Sequence, residues 1–320
     1  MNFKQIIICI ISSLLVFACA AKLELPQYID ALNAYNEGKY QTTLTLINQA
    51  ISIEPDVPEY FVLRAKANYK LNYKASAMSD LNSALKLEES FSAFYLKGRI
   101  FLERSEFSKA KVNFRKSYKL NPTSPELLFD LGYLEYLNGE NQLAIDYYLK
   151  AAKYDSRNPA VYVNIGNLYA IMGNSKLAID NYSKALVLDT TDGIPYYNRA
   201  NEKMILNDIT GAIEDYKKSL EIDSLNTNTM FILAEAQSKI GDYSGAIVSY
   251  NSILKIDSTS AKGFYLRGLS LLSLNDEKNA CTDFNKAGEL GYFDAYEMIK
   301  KYCDPKKLKQ TKKSNKNTKR

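Results

Sequence analysis

The chain has 320 residues, with 41 Lys plus Arg, 36 Asp plus Glu, four Cys, 25 Tyr and neither Trp nor His. A chain without histidine has no His-based triad, no His general acid or base and no His-containing zinc or haem site, while 46% hydrophobic and 24% charged residues are the composition of a folded protein. The formal charge of +5 is uneven: residues 304–320 hold +7 and Lys4 adds +1, so the body from 19 to 303 carries −3, which argues against a basic nucleic-acid-binding face.

The first twenty residues read as an address. Met1–Lys4 is a short start with one positive charge, and Ile6–Phe17 is apolar apart from Cys9, Ser12 and Ser13. That pattern predicts a secretory signal peptide, too short for a stable membrane span of about 20 apolar residues. Val16-Phe17-Ala18-Cys19 resembles the lipobox of bacterial lipoproteins, with Phe17 where that box usually has a small residue. The resemblance implies a leader of residues 1–18, cleavage before Cys19 and lipid attachment at Cys19. Ala20 after the cysteine implies the outer membrane, on its periplasmic face or at the surface. Ala18-Cys19-Ala20 also fits an A-x-A site that would release a soluble periplasmic or secreted protein after Ala20, and an uncleaved anchor is a third reading.

The body repeats. AIDYYLKA, AIDNYSKA, AIEDYKKS, AIVSYNSI and ACTDFNKA begin at Ala144, Ala178, Ala212, Ala246 and Ala280, a step of 34 residues each time. Twelve residues before each lies another small residue (Gly132, Gly166, Ala200, Ala234, Gly268), and between them falls a turn at Gly139, Gly173, Asn207, Gly241 or Asn275. Apolar residues at three- and four-residue spacing flank each turn, so every unit predicts two amphipathic helices. The small residues mark where those helices cross closely.

This pattern resembles the tetratricopeptide repeat, a 34-residue helix–turn–helix. In the same register lie earlier units, carried by Gly98, Ala110, Phe114 and Pro122, by Ala65, Ala77 and Ala84, and by Ala31, Gly38, Tyr40, Ala50 and Pro55. The family's Trp is replaced by Phe61, Phe94, Tyr162, Tyr196 or Phe264, and Thr43 stands for the second-helix Ala of the first unit. The resemblance implies an all-α fold, a right-handed α-solenoid of eight units over 24–294, at about 24–57, 58–90, 91–124, 125–158, 159–192, 193–226, 227–260 and 261–294.

After the last unit Gly291 ends a helix, and a capping helix follows at 295–303, with Asp294 as its N-cap and Tyr296, Ile299 and Tyr302 covering the end of the stack. Cys281 and Cys303 flank that turn at 10 and 12 residues, which would set their sulfurs at similar height in antiparallel helices. A disulfide between them and two buried free thiols are both open readings. Residues 304–320, Lys-rich and nearly without apolar residues, predict a disordered tail that either solubilises or contacts an anionic surface.

The family presents its first helices to a concave groove, and the resemblance implies groove-facing residues at repeat positions 2, 5, 9, 12 and 13. Position 5 reads Tyr28, Val62, Tyr95, Phe129, Val163, Tyr197, Phe231 and Tyr265, and Tyr133 holds position 9 of the fourth unit. Tyr95, Phe129, Tyr133, Tyr197 and Phe231 are therefore candidates for binding a protein or peptide partner, the alternative being that these rings pack between neighbouring repeats. Asn164 with Asn167, and Asn198 with Asn201, repeat in register and resemble the asparagine ladders of peptide-threading solenoids; otherwise they are helix surface. The family's carboxylate clamp is not matched.

Nothing forms a catalytic or metal site: no CxxC, no phosphate loop, and no cofactor motif. Glu88-Glu89 and Glu214-Asp215 are adjacent on helices and read as solvated charge. The functional expectation is a non-enzymatic protein–protein interaction scaffold of the bacterial cell envelope, with a small-molecule or glycan carrier using the aromatic groove as the alternative.

Overall fold

The structure, a computed structural model, describes residues 25–303, so the leader, Cys19 and the Lys-rich tail lie outside the described residues. Seventeen helices and no strand make up the described residues. They fall into two compact units that divide between Ser156 and Arg157. In unit one, α1 (Pro26–Asn36) pairs with α2 (Tyr40–Ile53), α3 (Pro58–Lys70) with α4 (Lys74–Leu87), α5 (Phe91–Glu103) with α6 (Phe107–Leu120), and α7 (Pro125–Leu137) with α8 (Asn141–Tyr154). Unit two pairs α9 (Pro159–Ile171) with α10 (Ser175–Leu188), α11 (Gly193–Ile205) with α12 (Ile209–Ile222), α13 (Thr227–Lys239) with α14 (Tyr243–Ile256), and α15 (Ala261–Ser273) with α16 (Glu277–Glu289), and ends in α17 (Asp294–Tyr302). Within each unit the second helix of one hairpin packs on the first helix of the next.

Each hairpin turns through a residue in the left-handed region. At Gly139, Gly173 and Gly241 φ is 81°, 73° and 81°, and Asn207 and Asn275 adopt 62°. The amide that follows then reaches back to an orphan carbonyl of the helix, as Asp208 N–H does to Lys203 at 2.9 Å. All four second helices of unit two open on a side-chain cap, from Asn174, Asp208, Asp242 and Asp276. The four in unit one have none.

The crossing within a hairpin is set by one small residue and one ring. A Cβ on Gly166 would sit 2.6 Å from Tyr182, on Gly132 2.8 Å from Tyr148 and on Gly268 2.7 Å from Phe284, while on Gly98 it would collide with Phe114. Those four rings are among the most buried side chains in the protein. The close approach that the sequence pattern implies is therefore an approach onto an aromatic face.

At the C-terminus α17 covers the last hairpin through Ala295, which is fully buried, and through Tyr296, whose hydroxyl donates to the Gly288 carbonyl at 2.9 Å. The cap differs from expectation in one respect. Phe293 occupies the N-cap position and makes no capping bond, and Asp294 is the first helical residue, because the Gly291 turn (φ 89°) and a bond from Ala295 N–H to the Tyr292 carbonyl start the helix directly. Cys281 and Cys303 are joined by a disulfide across 22 residues.

Two outcomes follow from these contacts. Gly166→Ala forces Tyr182 to move and is expected to lower the stability of unit two by about 1–3 kcal/mol in urea unfolding. Reducing the disulfide frees α17 and removes about 3 kcal/mol by the loop-entropy relation, read as faster amide exchange in 292–303 than in the oxidised chain.

Candidate functional site

The residues expected to face a partner divide between the units, Tyr95, Phe129 and Tyr133 in unit one and the four asparagines, Tyr197 and Phe231 in unit two. All lie on first helices. Their rings pack mainly within their own hairpins and also reach the next repeat, Phe231 under the Lys262 ammonium at 5.0 Å and Tyr95 against the cluster of Leu127 and Leu131. Tyr95 packs on Phe114, Phe129 on Tyr148, Tyr197 on Tyr216, Phe231 on Tyr250 and Tyr265 on Phe284, with centroids 5.3–6.2 Å apart, each pair inside one hairpin. The position-5 ring thus covers one side of the second-helix ring that the small residue touches on another, and each position-5 ring stays only partly buried. Tyr133 is 41% exposed and stands beside Tyr136, with centroids 6.3 Å apart.

In unit two the asparagines are positioned by buried tyrosines. The Tyr182 hydroxyl donates to Asn167 Oδ1 at 2.8 Å, and the Tyr216 hydroxyl donates to Asn201 Oδ1 at 2.7 Å. Asn198 Nδ2 also donates to Asn167 Oδ1 at 3.0 Å, which ties α9 to α11. Burial pushes both tyrosine pKa values up, so these hydroxyls remain protonated donors. With the carbonyl ends held inward, what Asn167 and Asn201 offer to a partner is their N–H pairs. Asn164 sits one turn before Asn167 on the same helix, partly buried. Tyr197 also lines a cleft of about 460 Å³ between the start of α11, the end of α12 and the start of α13, with Asp192, Ile194, Ile222 and Asp223.

In unit one the first helices carry a polar network invisible to the repeat pattern. The Tyr95 hydroxyl donates to Asp130 at 2.9 Å, Arg99 approaches the same carboxylate at 3.5 Å, and the Arg99 guanidinium lies 5.6 Å from the Tyr69 ring centroid. Tyr69 in turn donates to Glu103, which pairs with Lys74 at 2.7 Å. Burial raises the Asp130 pKa despite the opposing pull of Arg99 and Tyr95, and burial, then Asp130, raises that of Tyr95. Three consecutive first helices, α3, α5 and α7, are linked in this way.

A second set of residues, not visible in the repeat pattern, stitches neighbouring hairpins together. Arg64, Arg199 and Arg267 each clamp an aspartate sixteen residues on, Asp80, Asp215 and Asp283, through Nε and Nη2 at 2.6–3.1 Å. Nη1 of each reaches the preceding hairpin, to Asn48, Ser183 and Asn251 at 2.8, 2.9 and 2.6 Å. Phe61, Tyr196 and Phe264, the residues in the place of the family's Trp, lie under the three guanidinium groups at 5.4–5.7 Å. Asp215 is accordingly not solvated charge as its sequence neighbour Glu214 is: it is 3% exposed and also bound by Lys203 at 2.8 Å. Adjacent carboxylates on a helix do point apart, and here one of them points inward. The signal that could have found the staple was Arg and Asp recurring sixteen residues apart in repeats 2, 6 and 8.

Among the described residues no group of three or more His, Cys, Asp or Glu could hold a metal ion, and no helix is long and apolar enough to cross a membrane. Family models described as tetratricopeptide repeat match residues 95–159, 159–192 and 195–224. The human tetratricopeptide repeat protein 13 is 27% identical over 107 residues, 33% of this chain and 12% of that protein, so the chain spans only a small part of that curated relative. Among solved structures, the C-terminal part of a TPR repeat-containing protein from Cytophaga hutchinsonii aligns over 73% of this chain and 96% of its own, with 20% identity and a TM-score of 0.61. YrrB, described as a TPR protein with an unusual peptide-binding site, aligns over 58% of this chain and 97% of its own, with 21% identity and a TM-score of 0.52.

Breaking one staple tests its weight. Arg267→Ala strands the Asp283 carboxylate, 5% exposed in its side chain, and is expected to destabilise unit two by about 3 kcal/mol, whereas Arg267→Met with Asp283→Leu should recover most of the loss in the same urea titration.

Proposed function

The chain belongs to the tetratricopeptide-repeat family, and from that premise we propose that it is a non-enzymatic scaffold of the bacterial cell envelope that binds an extended segment of a partner protein on its first helices. Tetratricopeptide repeats are in general a protein-interaction fold rather than a catalytic one. The observation that carries the reading is the amide geometry of unit two. Asn167 and Asn201 have their carbonyl oxygens occupied by Tyr182 and Tyr216, so their N–H groups are preorganised donors at the same position of adjacent repeats. Backbone carbonyls of an extended chain accept such donors without regard to its sequence, and the half-buried rings of Tyr197 and Phe231 add flat area at low entropic cost. The described peptide-binding site of YrrB, a fold neighbour, is consistent with this use.

The envelope assignment rests on the leader pattern and the lipobox-like Val16-Phe17-Ala18-Cys19, with Cys19 as the lipid attachment point. The Cys281–Cys303 disulfide supports the same compartment, since such bonds persist where the surroundings are oxidising. The scaffold would then sit on the outer membrane through its lipid.

The test is affinity capture from native membranes with mass-spectrometric identification, comparing wild type with two variants of equal helicity. The first changes Asn164, Asn167, Asn198 and Asn201 to Ala. The second, Asn167→Asp with Asn201→Asp, keeps an acceptor for each tyrosine and exchanges each outward donor for a charged acceptor. A partner enriched on wild type should fall by about tenfold on both. Equal enrichment on all three proteins would sink the asparagine site.

A further inference from the structure

A cavity of about 250 Å³ opens in unit one between α1, α3 and the start of α5. Its apolar lining comes from Val62 and Leu63, both buried, with Leu32 and the Tyr28 ring beside them. Lys66 lines the same cavity, half-buried, and its ammonium has no hydrogen bond or ion pair among the described residues. Burial alone accounts for its lowered pKa, with no carboxylate offsetting it. By contrast Arg64, Arg199, Arg267, Lys111 and Lys203, also partly buried, each hold a carboxylate at 2.6–2.8 Å, and Lys97, whose pKa burial also lowers, holds the Asn82 carbonyl oxygen at 2.6 Å. A cation partly withdrawn from water without a counter-charge lowers stability, and a ligand anion would offset that loss.

Two exposed carboxylates, Glu59 and Glu88, also line the cavity, yet neither comes within 4.0 Å of an ammonium or guanidinium there. Opposite charges are therefore held apart around an apolar lining, with the Ser92 hydroxyl present as a further donor. A plain anion would be repelled by the two glutamates, and a plain cation would face Lys66. A molecule carrying a carboxylate, an ammonium and a small apolar group satisfies all of them at once.

We propose that this cavity binds a free α-amino acid with an aliphatic side chain, its carboxylate on Lys66 and Ser92, its ammonium toward Glu59 and Glu88, and its side chain against Leu32, Val62 and Leu63. The volume suits one residue rather than a peptide. This site is independent of the asparagine surface, which lies in the other unit.

Isothermal titration calorimetry of the folded chain with L-leucine tests it, with N-acetyl-L-leucine and L-leucinamide as the ligands that lack one charge each. Saturable one-to-one binding of leucine is expected, weakened at least about tenfold in either derivative and to a similar extent by Lys66→Met. Lys66→Met keeps the aliphatic stem and removes an unpaired ammonium, so its unfolding midpoint should equal or exceed that of wild type. The Asn167→Asp, Asn201→Asp variant should bind leucine as wild type does, which separates this site from the scaffold reading. Absence of saturable binding across Ala, Val, Ile, Leu and Met, or unchanged affinity in Lys66→Met, overturns the proposal. N-acetyl-L-leucine binding as tightly as leucine overturns it too, in favour of a peptide C-terminus.

Discussion

Both units depend on how closely two helices of a hairpin approach at a single point. In four hairpins the first helix presents a glycine there and the second presents a ring, and no Cβ fits between them. In the others an alanine takes the place of the glycine: Ala31 and Ala65 share their core clusters with the aliphatic Ile47 and Leu81, and Ala200 and Ala234 share theirs with Tyr216 and Tyr250. Once the crossing is fixed, a side of the second-helix ring is left over, and the position-5 aromatic covers it. The aromatic series that looks like a binding ladder therefore has a packing duty first. Only what remains exposed of each ring is available to a partner.

Contacts between hairpins are less uniform than those within them. Within unit one the first two hairpins are joined by the Arg64 staple, and they pack more extensively than the second and third or the third and fourth, which lack one. The unstapled junctions are bonded instead by Tyr69 to Glu103, by Tyr95 and Arg99 to Asp130, and by Lys111 to the buried Glu135. Unit two shows the same relation, with the Arg199 and Arg267 junctions packed more extensively than the one between them. Where bonding between hairpins runs through first helices, as in unit one, those helices carry charge. At the Asn198 helix of unit two the Arg199 staple is joined by a bond between amides, from Asn198 to Asn167 on the preceding first helix.

The architecture was legible because its determinants are local and periodic. A residue able to adopt positive φ must follow each first helix, so Gly139, Gly173, Asn207, Gly241 and Asn275 marked the turns, and the 34-residue step of alanines marked the helix pairs. What was not legible joins positions that the period does not bring together on one helix. The staple needs Arg199 to meet Asp215 on its own second helix and Ser183 on the preceding one, and neither partner is a neighbour in sequence. Beside Glu214, Asp215 resembles surface charge in the sequence, and only the third dimension supplies Arg199. The asparagines were found as a repeating pair, but the direction of their amides was set by Tyr182 and Tyr216, which the pattern treats as core alone.

The same logic separates charge that holds the fold from charge that waits for something else. A partly buried ion is tolerated when its partner is built into the next helix, and the three arginine staples, with an aspartate, a hydrogen-bond acceptor and a ring for each guanidinium, meet that condition in full. Lys66 meets none of it. It occupies the repeat position held by Asn167 and Asn201 in unit two, where the side chain is fixed by a tyrosine hydroxyl, but position 24 of its own repeat, the place of those tyrosines, is Leu81. A repeat fold tolerates such a residue because each hairpin is stabilised by its own crossing and its neighbours, so one unsatisfied group lowers stability locally without undoing the register of the rest. That tolerance is what lets one surface of a repetitive scaffold diverge from unit to unit.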